Sequence, residues 1–247
     1  MILDKFNSNK SFHWHSGDTE EHWVKNRKRF GPSWNYYNGG NVEYNYNSLG
    51  YRSPEITDIH KDFFISFGCS HTVGIGLAVK ETYSHILSNE LDLQYLNFAI
   101  GGGAQNVVWC NSTLWLKNYK QKPKFVILQW PETERLTLYK ERINLFLPNW
   151  HGDDYTTRAE RNMYLYMLQN EDYLYSQASM YFYNTNLLWN LAGVKTVNFT
   201  LAEKTSELFD IHCFRGWSMD ESLAARDCVH PGPSHNREMA EFIKAQL

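Results

Sequence analysis

The chain has 247 residues, enough for one large domain or two small ones, and its 43% hydrophobic and 21% charged residues, with no low-complexity tract, suit a buried core. A formal net charge of −3 and an isoelectric point near 6.4 leave no basic footprint for nucleic acid or an anionic membrane surface. The N-terminal MILDKFNSNK lacks an apolar h-region, no apolar run is long enough to span a bilayer, and Cys69, Cys110, Cys213 and Cys228 form no CxxC pair. A cytoplasmic chain with reduced thiols is therefore expected, without a zinc knuckle or a disulfide scaffold.

Residues 1 to about 60 are polar, aromatic and turn-rich, with little helical period, and read as an irregular arm with a short strand near Val42 to Tyr46. DFFISFG (62–68) is a nearly continuous apolar run of the kind buried on both faces of a parallel sheet. A helix from about Glu81 to Leu91 follows, then the strand LQYLNFAI (93–100), a glycine-rich break, a helix from about Gln105 to Tyr119 and the strand KFVILQW (124–130). Strand and helix alternating at this spacing predict a doubly wound α/β sheet. A helical, tyrosine-rich insertion covers about 136–191, GVKTVNFT (193–200) is a further strand, and SHNREMAEFIKAQL closes the chain as a helix. No repeat or Pro/Ser/Gly linker divides the sequence, so residues 1–247 are read as a single domain.

The chemistry centres on SFGCSHTVGIG (66–76), where small and reactive residues follow an apolar strand. GIGLAV (74–79) keeps only two glycines of a dinucleotide fingerprint, no acid stands about twenty residues on, and no GxxxxGK[ST] occurs. Cys69 and His71 are close in sequence, but such neighbours point apart from a tight turn, so Cys69 is read as a small packing residue. Ser70 is the better nucleophile candidate, because a serine at a sharp strand-to-helix turn presents its hydroxyl at the carboxyl edge of the sheet. It needs a base and an orienting group. Asp227 and His230, three residues apart in RDCVHPGPSHN, have the spacing for both, although D-x-x-H is also common in ordinary turns. His13 and His15 in HWH and the residues of HGDD (151–154) are metal-capable but form no complete ligand set, so no metal or other cofactor is expected.

Three blocks in order, FGCSHTVG (67–74), NFAIGGGAQN (97–106) and DCVHPG (227–232), resemble the SGNH (GDSL-like) hydrolase family over roughly residues 47–247. The upstream NSLGYRSPE (47–55) resembles a lead-in of some members. The resemblance implies a three-layer α/β/α sandwich with a mostly parallel, flavodoxin-like sheet, here with the N-terminal arm and the helical insertion added. It implies a serine esterase acting on a small acyl group such as acetyl, with Ser70 as nucleophile, His230 as base and Asp227 as its partner. The Ser70 and Gly102 amides would hold the oxyanion, with Asn106 or Gln105 as side-chain helpers. The sequence departs from the family at Cys69, where aspartate is usual, and at Glu132, which replaces a donor asparagine; Arg135 is a candidate to supply charge there. These departures keep open a second expectation, an eroded relative serving as a carbohydrate-binding or assembly module. The expected ligand is a small-molecule or glycan ester, with the tyrosines of 162–191 serving as core, subunit interface or an aromatic wall over the site. A homo-oligomer and a Cys69–Cys228 bridge are further open expectations.

Overall fold

The computed structural model describes residues 7–139, 143–146, 157–214 and 223–247. The arm holds β1 (Ser11–Phe12), α1 (Glu20–Phe30) and β2 (Tyr44–Asn45), with β1 and β2 paired antiparallel. The central portion runs β3 (Phe63–Phe67), α2 (Ser70–Val73), α3 (Tyr83–Leu91), β4 (Gln94–Asn97), α4 (Gln105–Asn118) and β5 (Phe125–Trp130). Then come β6 (Leu136–Tyr139), β7 (Ile143–Phe146), α5 (Arg158–Leu168) and α6 (Glu171–Leu191), followed by β8 (Lys195–Thr200), α7 (Glu203–Phe209), β9 (His212–Cys213) and α8 (Pro233–Ala245).

Five parallel strands form one sheet in the order β4-β3-β5-β8-β9, the flavodoxin-like order expected. All residues of β3 and β5 are buried, which is why both read as continuous apolar runs. Alternation along them still separates two layers. Phe63, Ile65, Phe67, Val126, Leu128 and Trp130 pack with Val107 and Trp115 of α4 and Phe182 and Trp189 of α6. Phe64, Phe125 and Ile127 face the other way, toward Tyr83 and Leu87 of α3 and Met239 and Ile243 of α8. Phe64 and Phe125 stack with ring centroids 4.9 Å apart.

Two segments carry more structure than their sequences announce. The arm contains α1, an 11-residue helix whose Thr19 side chain accepts from the His22 amide, with Glu20 and Glu21 in its first turn and Arg27 to Arg29 in its last. Capping and charges that complement the helix dipole hold a segment whose apolar period is weak. The stretch after β5 opens with the β6–β7 hairpin, and α6 serves as the crossover helix that packs against α4 and leads into β8. HGDD lies outside the described residues. No described helix is long and apolar enough to cross a membrane.

Candidate active site

The turn from β3 into α2 closes only because residue 68 is glycine. A Cβ there would lie 2.2 Å from Thr72 Oγ1 and 2.7 Å from Gln129 Oε1. With that space open, Gln129 Oε1 accepts from the Cys69 amide at 2.9 Å and the Thr72 hydroxyl at 3.2 Å. The turn is thereby tied to β5, and Ser70, the first residue of α2, stands at the carboxyl end of β3 beside β5. The sheet order reverses at this point, where open α/β folds have their crevice. Asn97 Nδ2 donates to Thr72 O at 2.7 Å, and the buried Arg52 of the NSLGYRSPE segment donates to the carbonyls of Gly74, Leu77 and Glu43. The Ser70 and Gly102 amides donate to no protein acceptor among the described residues.

Asp227 and His230 meet within one turn. Asp227 Oδ1 accepts the Val229 and His230 amides, each at 3.1 Å, while Oδ2 is hydrogen-bonded to His230 Nδ1. The carboxylate is fully buried and the imidazole side chain 12% exposed. The His230 ring stands edge-on to His71, centroids 5.4 Å apart, which sets it against α2. The Ser70 hydroxyl and the His230 ring are not hydrogen-bonded to each other.

Cys69 and His71 do not point apart: Cys69 Sγ lies 3.6 Å from His71 Nδ1. Both are buried, Cys69 as the extended residue that precedes α2 and His71 in its first turn. Burial outweighs the pull of Glu132 and lowers the His71 pKa to about 4. Arg135 pairs with Glu132 at 2.5 Å and also reaches the Cys69 side chain. Burial opposes ionisation of Glu132, but Arg135 and His71 outweigh it and hold the carboxyl below its ordinary range. Position 132, where the sequence resemblance leads one to expect a neutral amide, thus carries one half of an ion pair.

Gln105 and Asn106 are turned toward β6. Gln105 Nε2 donates to Pro131 O at 3.0 Å and Asn106 Nδ2 to Thr137 O at 2.7 Å. With Arg135, Tyr173 and Tyr181 they line a cavity of about 210 Å³, into which two of the insertion's tyrosines face. Tyr164 instead is buried and donates to Glu134 O, and Tyr166 and Tyr183 are exposed. The four cysteines form no disulfide, Cys69 and Cys228 included.

The arm contributes residues whose position only the folded chain reveals. His15 packs its Cε1–Nε2 edge on Gly101, and Gly17 sits between the His15 and His230 rings. Asp18 and Arg226 form a buried ion pair at 2.6 Å, and the Tyr44 hydroxyl donates to Asp18 at 2.5 Å. Nothing in the polar sequence around HWH marks His15 for this site beyond its being a histidine.

The fold and site therefore define an α/β protein with a carboxylate–imidazole pair beside a serine-bearing turn. No protein-family model and no curated protein sequence matches the chain. Among solved structures it is similar to the esterase EstA from Pseudoalteromonas sp., 12% identical over 75% of this chain and 96% of that one, with TM-score 0.40. It is similar to a G-D-S-L family lipolytic protein from Veillonella parvula, 14% identical over 73% and 95% of the two chains, with TM-score 0.40. A carbohydrate esterase is 13% identical over 80% of this chain and 69% of that one, with TM-score 0.48.

Proposed function

We propose that the chain is a serine esterase of the SGNH type that hydrolyses or transfers a small acyl group such as acetyl, carried on a carbohydrate. The observation that carries this reading is the hydrogen bond that the buried Asp227 carboxylate accepts from His230 Nδ1, made beside the turn that begins with Ser70. With Nδ1 held, His230 Nε2 is the basic nitrogen left to serve Ser70. Ser70 Oγ attacks the ester carbonyl, His230 takes its proton, and the free Ser70 and Gly102 amides receive the oxyanion. His230 then returns the proton to the leaving alcohol, and water or a second alcohol releases the acyl group from Ser70 by the reverse sequence. These steps use no cofactor. The preference for a hydroxylated substrate rests on the cavity lined by Gln105, Asn106, Tyr173 and Tyr181, whose Arg135 also contacts the Cys69 side chain. We read the whole chain as one domain, since Asp18 of the arm is ion-paired to Arg226 next to Asp227.

A second reading is an eroded relative that binds carbohydrate without turnover. It is favoured by the Glu132–Arg135 ion pair in place of a neutral donor and by the missing hydrogen bond between Ser70 and His230. Fluorophosphonate labelling followed by peptide mass mapping, alongside p-nitrophenyl acetate hydrolysis, separates the two. The esterase reading expects an adduct on Ser70 and no adduct in Ser70→Ala. An unlabelled wild-type protein would refute it.

A further inference from the structure

We propose that His15 is a further substrate-binding residue of the Ser70 site, donating its Nε2–H to an oxygen of the ester. This rests on the esterase reading above and adds a donor from the arm to the two backbone amides. Glu132 cannot be that donor, because it is a carboxylate paired to Arg135.

The tautomer of His15 follows from its partners. The Gly17 amide, which can only donate, points at His15 Nδ1 from 3.1 Å, and the Ser16 hydroxyl lies 3.4 Å from the same nitrogen. A neutral imidazole whose Nδ1 accepts must carry its proton on Nε2. Burial and the neighbouring His230 keep the ring neutral, with a pKa near 4. The Nε2–H has no hydrogen-bond partner among the described residues, and it keeps access to solvent. It lies along Gly101, one residue before Gly102, and Gly17 bridges the ring to His230. The donor thus opens between the loop that bears the Gly102 amide and the imidazole that serves Ser70.

The ring is held in place by its own turn and by the residues packed against it. His15 and Asp18 exchange backbone hydrogen bonds of 3.1 and 2.9 Å, which closes the turn that carries the ring. Asp18 is anchored by Arg226 and by Tyr44, whose ring centroid is 5.4 Å from that of His15. Arg226 also donates to His13 O at 2.7 Å, and the Tyr44 hydroxyl accepts the Gly76 amide at 2.8 Å. A preorganised, uncharged donor suits an acceptor such as an acyl carbonyl or a sugar hydroxyl and adds no net charge to the site.

The test compares wild type with His15→Ala, His15→Leu and His15→Gln by fluorophosphonate labelling rate and p-nitrophenyl acetate kinetics, with thermal unfolding of each. Glutamine can present an N–H near the position of Nε2, and leucine keeps bulk without a donor. Removal of one such donor from a reacting oxygen should lower kcat/KM by about 100-fold to 1000-fold in the Ala and Leu variants. The Gln variant should stay within about threefold of wild type, a rescue that a packing role would give to leucine instead. If the Ala variant does not fold, the Leu and Gln pair still decides. Labelled wild type with His15→Leu equal to it overturns the His15 proposal and leaves Ser70 standing. Unlabelled wild type overturns both.

Discussion

Replacing Asp18 by asparagine tests how far the arm and the Asp227 turn act as one body. Asp18 is completely buried and Arg226 is 3% exposed. Asp18 accepts from Arg226 Nε at 3.1 Å and Nη2 at 2.6 Å, and from the Tyr44 hydroxyl at 2.5 Å. Loss of the carboxylate leaves a buried guanidinium without a counter-charge, and breaking such a pair costs about 3–5 kcal/mol. Arg226 keeps the carbonyls of Gly39 and His13 and the face of Trp14, so the lower end of that range applies. For a domain of this size 1 kcal/mol moves Tm by about 2–4 °C, which gives a fall of about 6–12 °C. Circular dichroism with thermal and urea unfolding measures it. The double variant Asp18→Asn, Arg226→Met should recover much of the loss, because no charge is then stranded. If Asp18→Asn keeps its stability within about 1 kcal/mol of wild type, the pair is not the fastening described here.

Two further outcomes follow from the site. His71, neutral in the fold with a pKa near 4, takes up its proton at about pH 6.5 when unfolded, so its contribution to stability is complete above that pH and is lost as pH falls toward 4. His71→Asn should flatten the pH dependence of urea stability between about pH 6 and 4.5 by nearly 1.4 kcal/mol per pH unit, and an unchanged slope would contradict the buried neutral state. Gly68→Ala forces a Cβ against Thr72 and Gln129 and should cost about 1–3 kcal/mol, with Ser70 labelling slowed at least tenfold; a stable, normally labelled variant would show that the turn has other room.

The legible parts of the fold were those whose signal is local. FFISF and FVILQW read as strands because burial on both faces leaves no polar alternation, and Gly68, Pro123 and Pro131 mark their ends. Asp227 and His230 were legible as a pair because their contact spans only one turn. The helix α1 was not, since capping and end charges rather than an apolar stripe hold it. Strand β9 was missed because two residues are too short for a period. The meeting of Cys69 with His71 depends on turn geometry, and that of His15 with Gly101 joins segments far apart in sequence, so neither leaves a local pattern.

The arm is therefore better understood as the missing side of the site than as an appendage. The crevice at the end of β3 and β5 is built by α2, the Gly101–Gly103 loop and the Asp227 turn, and the arm joins all three. Arg52 gathers carbonyls from the end of α2, His15 rests on Gly101, and Asp18 is paired to Arg226. Gly76 binds the same assembly from below: its amide goes to the Tyr44 hydroxyl, its carbonyl accepts the Arg226 amide, and a Cβ there would lie 3.1 Å from Asp227 Oδ1. A shift of the arm is thus a shift of the surroundings of Asp227 and His230. Because these are buried charged and hydrogen-bonded contacts, a half-detached arm would strand several polar groups at once, each costing about 1–3 kcal/mol. The arm should consequently unfold together with the sheet rather than before it, and hydrogen exchange at the amides of His15, Asp18 and Arg226 should show the protection of the core strands.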